Sequence, residues 1–344
     1  MGMRPRNVRI QDVAKAAGVS TATVSRALSK PDLLTESTRS AVFDAIRNTG
    51  YRVNRTARNL RRQTAGAVLV LVPNLGNPFF SSILQGISET FAGSDYSVLI
   101  ADTRNLPNRL GNVVDGFLDG RIGGMISLDG GFSITELSVL TQARLDDRVV
   151  FACEWVGGAQ YPSVRSDNAK GAQLAMQHLF SLGHRDIAHI TGPETNVLTH
   201  VRRDGTLAER ARLGLPVRPE WIIRGDFSLE SGRQAAQKLA AMEDRPTAVF
   251  CASDEVAFGL ISGLTAHGIR VPEDISVVGF DDIGLAEYYI PALTTIRQNR
   301  LQLGQNAARM LLAQLEAPGT IPNDEVQLVD VELVVRDSCT RLSS

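Results

Sequence analysis

Two groups of residues in this chain have types and spacings that could do chemistry, and both point to binding. Near the N-terminus, Ser20, Thr21, Ala22, Thr23, Ser25 and Arg26 run together. On one helix they would offer short side chains that admit it to a DNA major groove, with an arginine one turn on able to grip guanine O6 and N7. Ser20 and Thr23 would lie at a helix N-terminus, where backbone N–H groups hold phosphates. The second group is spread along the rest of the chain: Asn77, Phe79 and Phe80 in NPFF, Asp102, Trp155 in CEW, Arg202, Phe227 in RGDF and Asp281 in GFDD. An arginine in a cleft is a bidentate donor to hydroxyl or carboxyl oxygens. An ionised aspartate only accepts, which suits vicinal hydroxyls. Aromatic rings stack on flat ligands. Simpler roles stay open: Phe79 and Phe80 as core, Trp155 as packing, Asp281 as the cap of a helix after Asp282. Asp167 and Asn168 are weaker polar candidates.

Nothing points to catalysis. No G-x-S-x-G elbow, P-loop, H-E-x-x-H or CxxC occurs. The glycine-rich GGMISLDGG lacks a G-x-G-x-x-G after a strand, and Asp281 and Asp282 are chain neighbours rather than facing groups. His178, His184, His189, His200 and His267 show no metal-ligand spacing; structural roles are expected, with His200 close enough to Arg202 to leave a minor effector role open. Cys153, Cys251 and Cys339 lie too far apart for a zinc knuckle and are too few for a disulfide scaffold. No enzyme, cofactor or metal site is expected, and a reduced, cytoplasmic setting is.

The elements that must position these groups can be read from charge and periodicity. At 344 residues and 43% apolar, the chain can build two or three domains around sizeable cores. Its net charge of −1 conceals a split. Residues 1–63 carry 13 Lys and Arg against 4 Asp and Glu, and the remainder carries 23 against 33. A basic head on an acidic body implies a polyanionic partner for the head. No apolar run approaches the ~20 residues that cross a bilayer, and the basic N-terminus has no signal-peptide apolar stretch.

In the head, Ile10, Val13, Ala14 and Ala17 recur at helical spacing, and Gly18 supplies a turn. Ser20 caps a second helix, about 21–29, with Val24, Ala27 and Leu28 inward. Pro31 ends it. Thr35 caps a third, with Val42, Ala45 and Ile46 inward, closed by Gly50, and Tyr51 packs back. Helix, tight turn, helix, helix is a helix-turn-helix layout. Arg55, Arg58, Arg61 and Arg62 then make a stretch too charged to bury, with Leu60 as an apolar wedge among them. From Gly66 the chain alternates apolar runs (67–72, 96–102, 124–128, 149–155, 186–192, 247–254, 275–282) with helix-period stretches (80–91, 170–182, 228–242, 256–267). That is a doubly wound α/β body, too long for one core and therefore of two lobes. Ligands on such sheets sit beyond the strands' carboxyl ends, between lobes where there are two.

IQDVAKAAGVSTATVSRAL, followed by TRSAVFDAIRNTGYRVNRTARNLR, resembles the DNA-binding head of the LacI/GalR family of bacterial transcription regulators. NPFFSSILQGI, SDNAKGA, LGHRDIAHITGPE, RPTAVFCASD, VPEDISVVGFDDI and PALTTIRQ extend the resemblance over nearly the whole body. STATVSRALSKPD, NPFF and RGDF are similar to the family's cytidine-repressor-like branch. The resemblance implies an all-α helix-turn-helix head plus an α/β two-lobed, type I periplasmic-binding-protein-like core. It implies base contacts by Thr21, Ala22 and Arg26, and backbone contacts or support by Ser20, Thr23, Ser25, Thr35, Thr38, Tyr51 and Asn54. Arg55–Arg61, with Arg58 and the wedge Leu60, would be a hinge helix that orders on operator DNA. Arg202 falls on the family's RxxG arginine, here followed by Thr206 where an aromatic is common. The implied domains are a head over 1–53, a hinge over 54–63 and a core over 64–344, with an N-lobe of about 66–165 plus 299–325 and a C-lobe of about 166–297 plus 326–344. The implied function is a ligand-responsive repressor. It would be a homodimer on a pseudo-palindromic double-stranded DNA operator, with a nucleoside or sugar effector between its lobes. A solute-binding protein with no DNA role is the rival from another class, and a nucleoside- or sugar-processing enzyme a third reading.

Overall fold

The computed structural model describes residues 8–51, 66–104 and 108–342. The chain divides into two compact units, Met1–Thr64 and Ala65–Ser344.

The first unit is built from α1 (Ile10–Ala17), α2 (Thr21–Ser29) and α3 (Glu36–Thr49). Gly18 takes a left-handed conformation (φ 65°), which glycine adopts without a Cβ clash, and the Val19 N–H returns to the Ala14 carbonyl at 3.0 Å. Ser20 Oγ accepts the Thr23 N–H at 3.1 Å and Thr35 Oγ1 accepts the Thr38 N–H at 3.4 Å, so both caps form where the sequence places them. Val13, Ala14, Val24, Ala27, Val42 and Ala45 are buried together, with Ile10, Leu28, Ile46 and Tyr51 packed against them.

The second unit contains two six-stranded sheets. The first comprises β1 (Ala67–Val72), β2 (Ser97–Asp102), β3 (Gly124–Ser127), β4 (Val149–Ala152), β5 (Ser163–Ser166) and β11 (Val326–Val329), all parallel, in the order β11-β5-β4-β3-β1-β2. Its helices are α4 (Phe79–Phe91), α5 (Arg109–Leu118), α6 (Ile134–Gln142) and α11 (Arg300–Glu316). The second sheet comprises β6 (Ile187–Ile190), β7 (Ile222–Ile223), β8 (Ala248–Cys251), β9 (Ser276–Asp281), β10 (Thr294–Gln298) and β12 (Val331–Val334), in the order β12-β10-β9-β8-β6-β7. Only β12 runs antiparallel. Its helices are α7 (Asn168–Ser181), α8 (Val197–Leu213), α9 (Leu229–Ala240) and α10 (Asp254–Ala266).

The chain passes between the sheets at Asp167, Asn299 and Asp330, each a single residue between two regular elements. Each passage adjoins strands rather than loops: β5 precedes Asp167, β10 precedes Asn299, and β11 and β12 flank Asp330. The return to the second lobe comes at Asp330 rather than 326, because Val326–Val329 pairs with Ser163–Ser166 in the first sheet. VQLV and VELV read alike as apolar runs, and only the neighbour each finds distinguishes them. A close helix pair holds α11 on the first lobe after its passage at Asn299. A Cβ added at Gly304 would lie 2.1 Å from the Ile83 carbonyl of α4, and one at Gly86 would lie 2.2 Å from the Leu301 carbonyl. Glycine at both positions lets the backbones meet.

Candidate functional site

On the head, Val24 and Ala27 turn inward while Thr21, Ala22, Ser25 and Arg26 face solvent on the opposite side of α2. Ser20 and Thr23 join their hydroxyls at 2.9 Å, as do Thr35 and Thr38, so each cap is reinforced by a side-chain pair beside a row of helix N–H groups. Arg26 has no carboxylate partner among the described residues, leaving its guanidinium available for a ligand. Tyr51 is half-buried against the head's core. Asn54, Arg55, Arg58 and Leu60, with the whole expected hinge helix, lie outside the described residues.

In the body, a cavity of about 50 Å³ opens between the lobes, lined by Asn77, Phe79, Phe80, Cys153, Glu154, Leu198, Arg202, Phe227, Ser253 and Asp281. The lining residues end a strand, follow one, or lie in the first two turns of the next helix, so the cavity lies at the carboxyl ends of both sheets. Asn77 Oδ1 accepts the Phe79 N–H at 2.8 Å, which starts α4. Phe79 and Phe80 meet edge-to-face with ring centres 5.1 Å apart. Both also belong to the main apolar core, so the core and ligand-facing readings hold together. Arg202, on α8, is buried. Its Nε donates to Asn168 Oδ1 at 2.8 Å, its Nη1 to the Ala252 carbonyl, its Nη2 lies 3.8 Å from Asp281 Oδ1, and its guanidinium stacks 3.8 Å over the Phe280 ring. Asp281 accepts from Gln298 Nε2 at 2.6 Å. Three lining residues, Cys153 (φ 69°), Phe227 (φ 68°) and Asp281 (φ 118°), hold a left-handed or similarly unusual backbone, which non-glycine residues adopt at a cost and which concentrates at binding sites.

With both surfaces described, the comparisons with known proteins are decisive. Residues 9–54 match the family described as bacterial regulatory proteins, lacI family, and residues 176–339 match the periplasmic binding protein-like domain. The HTH-type transcriptional repressor CytR of Escherichia coli (strain K12) is 39% identical over 333 residues, covering 97% of this chain and 96% of that protein. The chain belongs to the lacI family of bacterial regulatory proteins. The HTH-type transcriptional repressor PurR of Actinobacillus pleuropneumoniae serotype 3 is 34% identical, covering 97% of this chain and 99% of that protein. Among solved structures, the Lac repressor dimer bound to operator and the anti-inducer ONPF has a TM-score of 0.85 at 28% identity, over 97% of this chain and all of that one. This member of the family is accordingly a DNA-binding transcriptional regulator rather than an enzyme, and no helix among its described residues is long and apolar enough to cross a membrane.

Two sequence candidates do not reach the cavity. Asp102 accepts the Leu75 and Arg104 N–H groups at 3.0 and 2.9 Å, and so organises the loop after β1 instead. Trp155 turns away and carries the Arg165 guanidinium 4.0 Å above its ring. In its place Glu154 lines the cavity. The cause is local: Cys153 leaves the extended conformation, which breaks the two-residue alternation of β4 and rotates the following side chains. Cys153, Leu198 and Ser253 are likewise lining residues that no sequence pattern marks. Asn168 acts through Arg202, Asp167 caps α7 by accepting the Lys170 N–H, and His200 pairs with Arg203. The charged stretch after Arg202 is well satisfied: Thr206 Oγ1 donates to the Arg202 carbonyl, Arg210 donates to the Ile187 and Pro216 carbonyls, and Glu209 pairs with Arg212.

Burial governs the cavity's electrostatics. It pushes the Asp281 carboxyl up to about 6 against the opposing pull of Arg202 and Arg300. Glu154 is pushed up to about 7, chiefly by burial, while hydrogen bonds from the Gly130 N–H and Asn196 Nδ2 pull the other way. Asp254, beneath Asp281, is raised by burial and by Asp281 itself, and it accepts from Thr295 Oγ1 and the Ile283 N–H. Burial likewise raises the Cys153 thiol.

Proposed function

We propose that the chain is a repressor that binds a pseudo-palindromic operator as a homodimer and is controlled by a nucleoside or sugar held between its lobes. The observation that carries the effector half is the convergence of Arg202, Asp281 and three phenylalanine rings on one interlobe cavity. Arginine and carboxylate suit ligand hydroxyls, and the rings suit a flat or apolar face. Arg202, Asp281, Asn77, Phe79, Phe80 and Phe227 are the proposed contacts. In the head, Thr21, Ala22 and Arg26 read bases, while Ser20, Thr23, Ser25, Thr35, Thr38, Tyr51 and Asn54 hold or support the backbone. Arg55, Arg58 and Leu60 act at the minor groove, in a hinge over 54–63 that joins a 1–53 head to a 64–344 core. Effector binding shifts the population of lobe arrangements, coupling cavity to operator affinity by typically ~1–3 kcal/mol. The chain works in the cytoplasm, at the nucleoid.

Two measurements test this. Operator gel shifts in rising salt should show a steep loss of binding, as phosphate contacts require; no binding even at low salt would favour a solute-binding protein. Thermal-shift screening against nucleosides and sugars should reveal a stabilising ligand without turnover; turnover of that ligand would favour an enzyme.

A further inference from the structure

The cavity's charge count is unusual for a site with an arginine in it. Among the described residues Arg202 is its lining cation, with Nε and Nη1 donating to Asn168 and the Ala252 carbonyl, Nη2 3.8 Å from Asp281 Oδ1, and the guanidinium over the Phe280 face. Asp281 therefore offsets it. Glu154 is left over. Its carboxylate follows β4 on the first lobe and accepts the Gly130 N–H at 3.0 Å and Asn196 Nδ2 at 2.9 Å, with no cation in ion-pair contact among the described residues. Asn196 is the cap of α8 on the second lobe, accepting the Leu198 N–H at 2.8 Å through Oδ1. The Glu154–Asn196 bond thus spans the cleft, and Glu154 forms part of the cavity wall. The other ionisable groups acting on it are Asp129, past β3, and Arg202 on α8, which oppose each other.

We propose that Glu154 makes the effector cavity selective for uncharged ligands and rejects their phosphorylated counterparts. The inference rests on the reading of this cavity as the effector site. Phe79, Phe80 and Phe227 line the cavity together with Glu154, so a phosphate seated among these rings lies near the carboxylate. At a separation of about 6 Å and an effective permittivity of about 20, one fixed unit charge would oppose each ligand negative charge by about a hundredfold, but a carboxyl that titrates at about 7 can take up a proton instead, which limits the penalty to about tenfold at pH 8. Arg202 relieves this only in part, because Asp281 Oδ1 lies 3.8 Å from its Nη2 and offsets its charge.

The experiment is titration calorimetry of the full-length protein at pH 8, with a panel of nucleosides, pentoses and hexoses, each paired with its phosphate monoester. The wild type should bind a neutral member about tenfold more tightly than its phosphate ester. Glu154→Gln should bring that ratio close to one, and Glu154→Asp, which keeps the charge, should preserve it. A phosphate ester that binds the wild type as well as its parent, or a ratio unchanged in Glu154→Gln, overturns the proposal and leaves the effector reading standing. If no compound in the panel binds either protein, both readings fall together, and the flat titrations distinguish that result from the first.

Discussion

Glu154 also allows a stability test whose size follows from its surroundings. Its carboxyl is buried and titrates at about 7, against about 4.5 when free, so the fold disfavours its ionised form. The sign follows: stability is fully present below about pH 4.5, falls as the pH rises towards 7, and is lost in full above that. Between pH 5 and pH 8 the loss from this one group amounts to about 2.5 kcal/mol. Glu154→Gln removes the titration but adds a fixed cost. Both partners of the carboxylate are donors, so the new amide NH2 must face one of them, at about 1–3 kcal/mol. The variant should be less stable than wild type at pH 5 and equal or more stable at pH 8. The difference between the two proteins should change by about 2.5 kcal/mol across that range, whatever the fixed cost. For a body of this size, that is a relative shift in Tm of about 5–10 °C. Calorimetric melting of full-length wild type and variant at pH 5, 6.5 and 8, following the body's transition, measures it. Parallel Tm curves for the two proteins would refute the reasoning, since they would show that Glu154 does not titrate in this window.

Three further outcomes are expected. Arg26→Ala should lose about 1–3 kcal/mol of discrimination between operator and random DNA while keeping much of its nonspecific binding; equal losses on both DNAs in gel shifts would contradict a base-reading role. Asp281→Asn should weaken binding of a stabilising effector by about 10–100-fold, through loss of a charge-assisted hydrogen bond, and leave operator binding intact; a normal dose–response would place the effector elsewhere. Gly304→Ala should destabilise the body by about 1–3 kcal/mol or more, because its Cβ would fall 2.1 Å from the Ile83 carbonyl. Gly93→Ala, with open space around it, serves as the control and should change urea unfolding little.

The sequence by itself determined what depends on neighbours a few residues apart. The head's three helices, its caps at Ser20 and Thr35 and its outward face at Thr21, Ala22 and Arg26 follow from local periodicity and turn chemistry, and the structure places them there. The alternation of strands and helices in the body, and the convergence of Phe79, Phe227, Arg202 and Asp281 at strand ends, are legible for the same reason. Tertiary structure decided the rest. Whether VQLV joins the first sheet and VELV the second depends on pairing partners more than 30 residues away along the chain. Whether Glu154 or Trp155 faces the cavity depends on the left-handed backbone at Cys153 (φ 69°), which no sequence pattern marks. The charge left over in the cavity is likewise a property of the assembled site, because only there does Arg202 find Asp281, leaving Glu154 to face the cavity without an ion-pair partner among the described residues.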